Sequence, residues 1–195
     1  MTRIYLLRHG LARGGEGRAV GQLDLPLSEG GAEQIRHLAR TWHGPAPDRL
    51  FTSDLRRARE SAGILAERFA TVPTVDARLR ELSFGAWEGQ RWDEIHRRDR
   101  HHLAAWADRW WAVAPPGGET FARLCRRVAA WFRELGDDGV VVAVLHAGSL
   151  RALLAEVVHT PRAALFDIRL DCGRVSAVAG DRRGYELVSV NRRRF

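Results

Sequence analysis

The chain has 195 residues, 45% of them hydrophobic and 28% charged, with a formal net charge of +7. That size and composition fit one soluble domain, residues 1–195, able to bury a core without a metal or a disulfide. The two cysteines, Cys125 and Cys172, are too few for a disulfide framework or a zinc site. No apolar run approaches the ~20 residues of a membrane span, and Met1-Thr2-Arg3-Ile4 lacks a secretory leader's apolar region, so a reduced, cytoplasmic protein is expected.

All 31 basic residues are arginines. Short clusters occur at Arg97-Arg98, Arg126-Arg127, Arg182-Arg183 and Arg192-Arg194. No aromatic–basic alternation accompanies them, which argues against a nucleic-acid partner and for solvated helix faces that also attract an anionic substrate. A non-catalytic basic binding protein is the alternative of a different class. The sequence assigns no oligomeric state.

The first apolar run, Ile4-Tyr5-Leu6-Leu7, reads as a strand buried on both faces and ends in Arg8-His9-Gly10. A glycine-rich loop follows, from Gly14 to Gly21. Ser28 is placed to cap a helix carrying Ile35, Leu38 and Trp42, which Gly44-Pro45-Ala46-Pro47 terminates. Asp48–Ser53 reads as a second strand. The next helix carries Leu55, Ala58, Ala62, Leu65 and Phe69 on one stripe, with Ser53 or Asp54 as its expected cap. Thr74-Val75 reads as a short edge strand.

Five of the seven tryptophans fall between Glu81 and Gly118. The spacing of Leu103, Trp106, Trp110 and Val113 predicts one apolar helix face there, and residues 86–118 read as a lid-like insertion. Pro115-Pro116-Gly117-Gly118 breaks the chain before an amphipathic helix through Phe121, Leu124, Val128, Trp131 and Leu135. Val140–Leu145 is the clearest buried strand, and His146-Ala147-Gly148-Ser149 turns from it into another helix. Strands are expected at Phe166–Leu170, Val175–Ala179 and Glu186–Val190. This alternation defines an α/β fold, a three-layer sandwich around a mostly parallel sheet.

Ligands in such sheets sit beyond the carboxyl ends of strands. His9 and His146 both occupy that position. A neutral imidazole can attack phosphorus, and an adjacent arginine fork matches phosphate geometry, so His9 with Arg8 reads as a nucleophile with its anion clamp. Arg56 and Arg57 begin a helix where a cation opposes the dipole, which a phosphate explains better than stability does. Expelling an alcohol needs a proton donor, for which Glu81 is the candidate and Glu88 the rival. His146, as imidazolium, would neutralise phosphoryl charge, with the amides from Ala147 onward at a helix N-terminus. His96, His101 and His102 lack metal spacing. No serine-hydrolase elbow or Walker loop is present.

Together Leu7–Gly10, Gly21–Ser28, Ser53–Ala58, Arg80–Gly85 and His146–Gly148 resemble, in order, the motifs of the histidine phosphatase superfamily, the phosphoglycerate-mutase-like fold. The resemblance covers essentially the whole chain. It implies His9 as nucleophile, Arg8, Arg57 and His146 as phosphate ligands, and Glu81 as proton donor. Gln22 and Ala147 are added as substrate-binding candidates. It further implies a phosphomonoesterase acting on a small phosphorylated metabolite, with neither metal nor cofactor. The residues after Gly10 depart from the family pattern, where an asparagine often contacts phosphate; Arg13 or glycine amides are expected to close that side. Cofactor-dependent phosphoglycerate mutases are similar but carry a longer insertion. The short segment ending in Pro115–Thr120 looks more like small phosphatases, with α-ribazole phosphatases nearest in pattern and α-ribazole 5′-phosphate the corresponding substrate.

Overall fold

The structure is a computed structural model describing residues 1–194. Its strands are β1 (Thr2–Arg8), β2 (Arg49–Thr52), β3 (Thr74–Val75), β4 (Gly139–Leu145), β5 (Val175–Asp181) and β6 (Gly184–Arg192). The helices are α1 (Glu29–Arg40), α2 (Arg56–Phe69), α3 (Trp92–Arg98), α4 (Arg100–Asp108), α5 (Phe121–Arg133), α6 (Ala147–Val157) and α7 (Arg162–Leu165). The strands form one sheet in the order β3-β2-β4-β1-β5-β6. β1 to β4 run parallel, and β5 pairs antiparallel with β1 and with β6.

Side-chain alternation along the central strands builds two cores. Ile4, Leu6, Val141, Ala143 and Leu145 face α5 and α6, meeting Leu124, Val128, Trp131, Leu150 and Leu153. Tyr5, Leu7, Val142 and Val144 face the other way, onto Ile35 and Leu38 of α1 and Ala58, Ala62 and Leu65 of α2. Strands sandwiched between helix layers must be apolar on both faces, which explains their unbroken hydrophobic runs. Ser28 caps α1 by accepting from Gly31 N.

Three local expectations are corrected. Neither Ser53 nor Asp54 caps α2; its N-cap is Leu55, and Asp54 instead pairs with Arg80. The helix through Leu103 and Trp106 stops at Asp108, because Trp110 leaves it to pack edge-on against Phe121 and Phe166. Phe166–Leu170 is not a strand. Its segment's carbonyls accept from arginine side chains rather than from a ladder: Leu165 and Ile168 from Arg151, and Leu170 from Arg8.

Candidate active site

Sheet register assembles the site. Arg8 pairs with Leu145 across β1 and β4, and Thr52 pairs with Val144 across β2 and β4. The next residues, His9, His146 and Ser53, therefore lie side by side beyond the carboxyl ends of three adjacent strands. The two imidazoles are 4.9 Å apart between ring centroids. Ser53 Oγ lies 2.7 Å from His146 Nε2, a contact the sequence reading missed by treating Ser53 only as a cap.

His9 is held in one orientation. Its Nδ1 is 2.6 Å from the Gly10 carbonyl, and its Nε2 accepts from Arg57 Nε at 3.2 Å. A carbonyl can only accept, so the proton sits on Nδ1 and the lone pair on Nε2. Burial, then the guanidinium of Arg57, pushes the His9 pKa well below the ordinary histidine value, outweighing the Gly10 hydrogen bond that raises it. The ring is a neutral imidazole whose Nε2 carries the lone pair. Gly10 is required because a Cβ there would collide with the Gly31 backbone, where α1 closes over the turn.

Arg57 is 1% exposed although it is charged. Its Nη1 and Nη2 donate to the Leu23 and Gly21 carbonyls, each at 2.7 Å. Arg56, one helical step away, bonds Glu60 on the solvent side, which separates the two arginines. Arg8 donates through Nη1 to Leu170 O at 2.6 Å, while its buried Nε has no partner. His146 is 0% exposed and its Nδ1 is likewise without a partner. Burial, then His9, Arg57, Arg8 and Arg127, pushes its pKa well below the ordinary histidine value, which works against the imidazolium expected from the sequence. Two arginines, Arg8 and Arg57, and two buried rings gathered here make a strong anion site.

A cavity of about 230 Å³ opens over His9. Arg8, Arg57, Glu81 and Cys172 line it, with Leu11, Val20 and Phe84 as apolar wall and Glu16 and Arg18 at the mouth. Arg13 turns away to a different surface, and Gly15 with Arg18 closes the side where the family pattern breaks. Glu81 accepts through Oε1 from Leu82 N at 2.8 Å and Gly148 N at 2.9 Å. Its rival Glu88 is consumed by the Gln22, Ser83 and Phe84 donors and lies outside the cavity wall. Gln22 and Ala147 are not brought to the cavity. The Gln22 carboxamide donates instead to the Glu81 carbonyl, and Ala147 begins α6 behind His146. Arg18, Glu16 and Cys172 were not singled out for the site, because nothing local distinguishes them from other loop residues.

An α/β sandwich with two histidines and two arginines converging at its strand ends is the architecture of the histidine phosphatase superfamily (branch 1). The chain belongs to that family, whose sequence profile matches residues 4–193. It is a phosphatase, as are its similar relatives. It is 30% identical over 181 residues, 90% of this chain and 89% of the other, to the adenosylcobalamin/α-ribazole phosphatase of Escherichia coli K12. It is 35% identical over 174 residues, 83% and 76% of the two chains, to the glucosyl-3-phosphoglycerate phosphatase of Mycolicibacterium vanbaalenii. The crystal structure of the α-ribazole phosphatase from Shigella flexneri superposes with a TM-score of 0.88 at 26% identity, covering 99% of this chain and 98% of that one. No helix among the described residues is long and apolar enough to cross a membrane.

Proposed function

We propose that this phosphatase works through a phosphohistidine on His9 Nε2. The observation that carries the reading is the lone pair of a neutral, hydrogen-bonded imidazole presented at the floor of an arginine-lined cavity. Nε2 attacks phosphorus as the ester P–O bond breaks, and Glu81 gives its proton to the departing alcohol oxygen. Water then attacks phosphorus, Glu81 takes its proton, the P–N bond breaks, and inorganic phosphate leaves neutral His9 behind. Arg8 and Arg57 hold the non-bridging oxygens; the unpartnered Arg8 Nε and His146 Nδ1 supply donors to them. Phosphorus takes the place of the Arg57 donor on Nε2, freeing that guanidinium for a phosphoryl oxygen.

The substrate is a small phosphomonoester whose alcohol half carries an apolar ring. Leu11, Val20 and Phe84 offer an apolar wall for such a ring. Of the relatives' substrates this favours α-ribazole 5′-phosphate over glucosyl-3-phosphoglycerate. Residues 86–118 form the wall behind Phe84, which meets Trp92 and Trp106 edge-on. We place the reaction in the cytoplasm, a reading the two free thiols support.

Rapid quench of a radiolabelled substrate should trap acid-labile phosphate on the wild type and none on His9→Ala, with turnover lost. Undiminished turnover in His9→Ala overturns the mechanism. A higher kcat/KM on glucosyl-3-phosphoglycerate than on α-ribazole 5′-phosphate overturns the substrate assignment alone.

A further inference from the structure

Glu81 sits in a loop without regular secondary structure, yet its work requires a fixed carboxylate. The backbone here is fastened by a residue from a different layer. Arg127, on α5, reaches under the loop and donates to three of its carbonyls: Arg78 O at 2.6 Å and Arg80 O at 2.7 Å through Nη1, and Glu81 O at 2.9 Å through Nη2. The same guanidinium is held by Glu119 in a bidentate pair, Nε to Oε1 at 2.9 Å and Nη2 to Oε2 at 2.8 Å. Their side chains are only 19% and 12% exposed.

The planar fork gives this arrangement its rigidity. A lysine presents one point charge, whereas a guanidinium holds carbonyls and a carboxylate in one plane. From the opposite side, the Gln22 carboxamide donates to the same Glu81 carbonyl at 3.0 Å. Glu119 is itself tied to the loop, since its N–H donates to Ser83 O at 2.9 Å. Arg127 is off the cavity wall, and its guanidinium N–H groups are committed to Glu119 and the loop carbonyls, which leaves none for substrate.

We propose that Arg127, locked by Glu119, is a positioning residue for the proton-transferring carboxylate: it sets where Glu81 sits relative to the ester oxygen of the substrate. The proposal rests on Glu81 being that proton donor. It concerns the step at which the leaving oxygen is protonated and not phosphate binding, which Arg8 and Arg57 carry.

The test compares leaving groups. kcat/KM reports the steps through phosphorylation of His9, where a poor alkoxide leaving group needs a proton and dinitrophenolate needs none. Arg127→Met should lower kcat/KM about 10- to 100-fold on an alkyl phosphomonoester and less than about threefold on 2,4-dinitrophenyl phosphate, since roughly 1 Å of misplacement costs up to about 100-fold. Glu119→Gln, which keeps the shape but removes the charge, should show the same selectivity more weakly. Arg127→Lys should recover little.

Glu81→Gln run in parallel separates the two ideas. Loss of leaving-group selectivity in Glu81→Gln overturns the assignment of Glu81. Selectivity in Glu81→Gln, with equal losses on both substrates in Arg127→Met and Glu119→Gln, overturns the positioning role and leaves Arg127 a plain structural tie. Should Arg127→Met fail to fold, Glu119→Gln alone decides by the same criterion.

Discussion

Gly148→Ala is expected to separate activity from stability. Gly148 lies in the first turn of α6, and its N–H donates to Glu81 Oε1 at 2.9 Å. A Cβ on Gly148 would stand well inside van der Waals contact with that oxygen and tightly against Leu124, 3.3 Å from its Cδ2. Leu124 is packed in the core and cannot yield, so the Glu81 carboxylate must retreat by about 1 Å. Losing its hydrogen bond costs about 1 kcal/mol, and the alanine returns up to about 1 kcal/mol of helix propensity. Melting temperature should therefore stay within about 4 °C of the parent. A proton donor misplaced by that distance loses about 100-fold in rate, or about 2.7 kcal/mol of barrier. The assay is phosphate release from an alkyl phosphomonoester, alongside a thermal melt. A folded variant with kcat/KM within about threefold of the parent would refute this account of Glu81.

Two further outcomes are expected. Inorganic phosphate at about 100 times its Kd should stabilise the protein by about 2.7 kcal/mol, a rise of roughly 5–10 °C in melting temperature; a full shift in Arg57→Met would show that the anion does not bind at this site. His9 and His146 both have pKa values depressed by burial, so the unfolded chain takes up more protons than the native one once pH falls below about 6.5. Stability is then complete above that pH and declines beneath it, by up to about 2.7 kcal/mol per pH unit for the pair. Urea melts at pH 7.5 and 5.5 measure this, and a fall undiminished in His146→Asn would contradict it.

Much of this architecture was legible in one dimension. Ile4–Leu7 and Val140–Leu145 could only be strands covered on both faces, because a continuous apolar run of that length has no exposed face to offer. Ser28 announced a helix start by its side-chain chemistry. The turns after β1 and β4 therefore put His9 and His146 at strand ends, and the ordered motifs indicated the family. Arg57 differs from Arg56 by one position. That position puts it on the buried side of α2 with Ser61, one turn on, whose hydroxyl accepts from Gly10 N.

The remainder depended on contacts between residues far apart in the chain. Phe166, Ile168 and Leu170 alternate as a strand should, yet Arg151 and Arg8 captured carbonyls there and no ladder formed. Leu103 to Val113 keeps helical spacing, but edge-on packing of Trp110 against Phe121 and Phe166 ended the helix early. Gln22, a motif residue, serves the Glu81 backbone and not the cavity, while Arg18 lines the mouth where Arg13 was expected. Arg127 is one of 31 arginines with no local mark to single it out. Periodicity and capping are local properties and can be read along the chain. Which carbonyl an arginine reaches is set by packing between layers, and only the folded structure decides it.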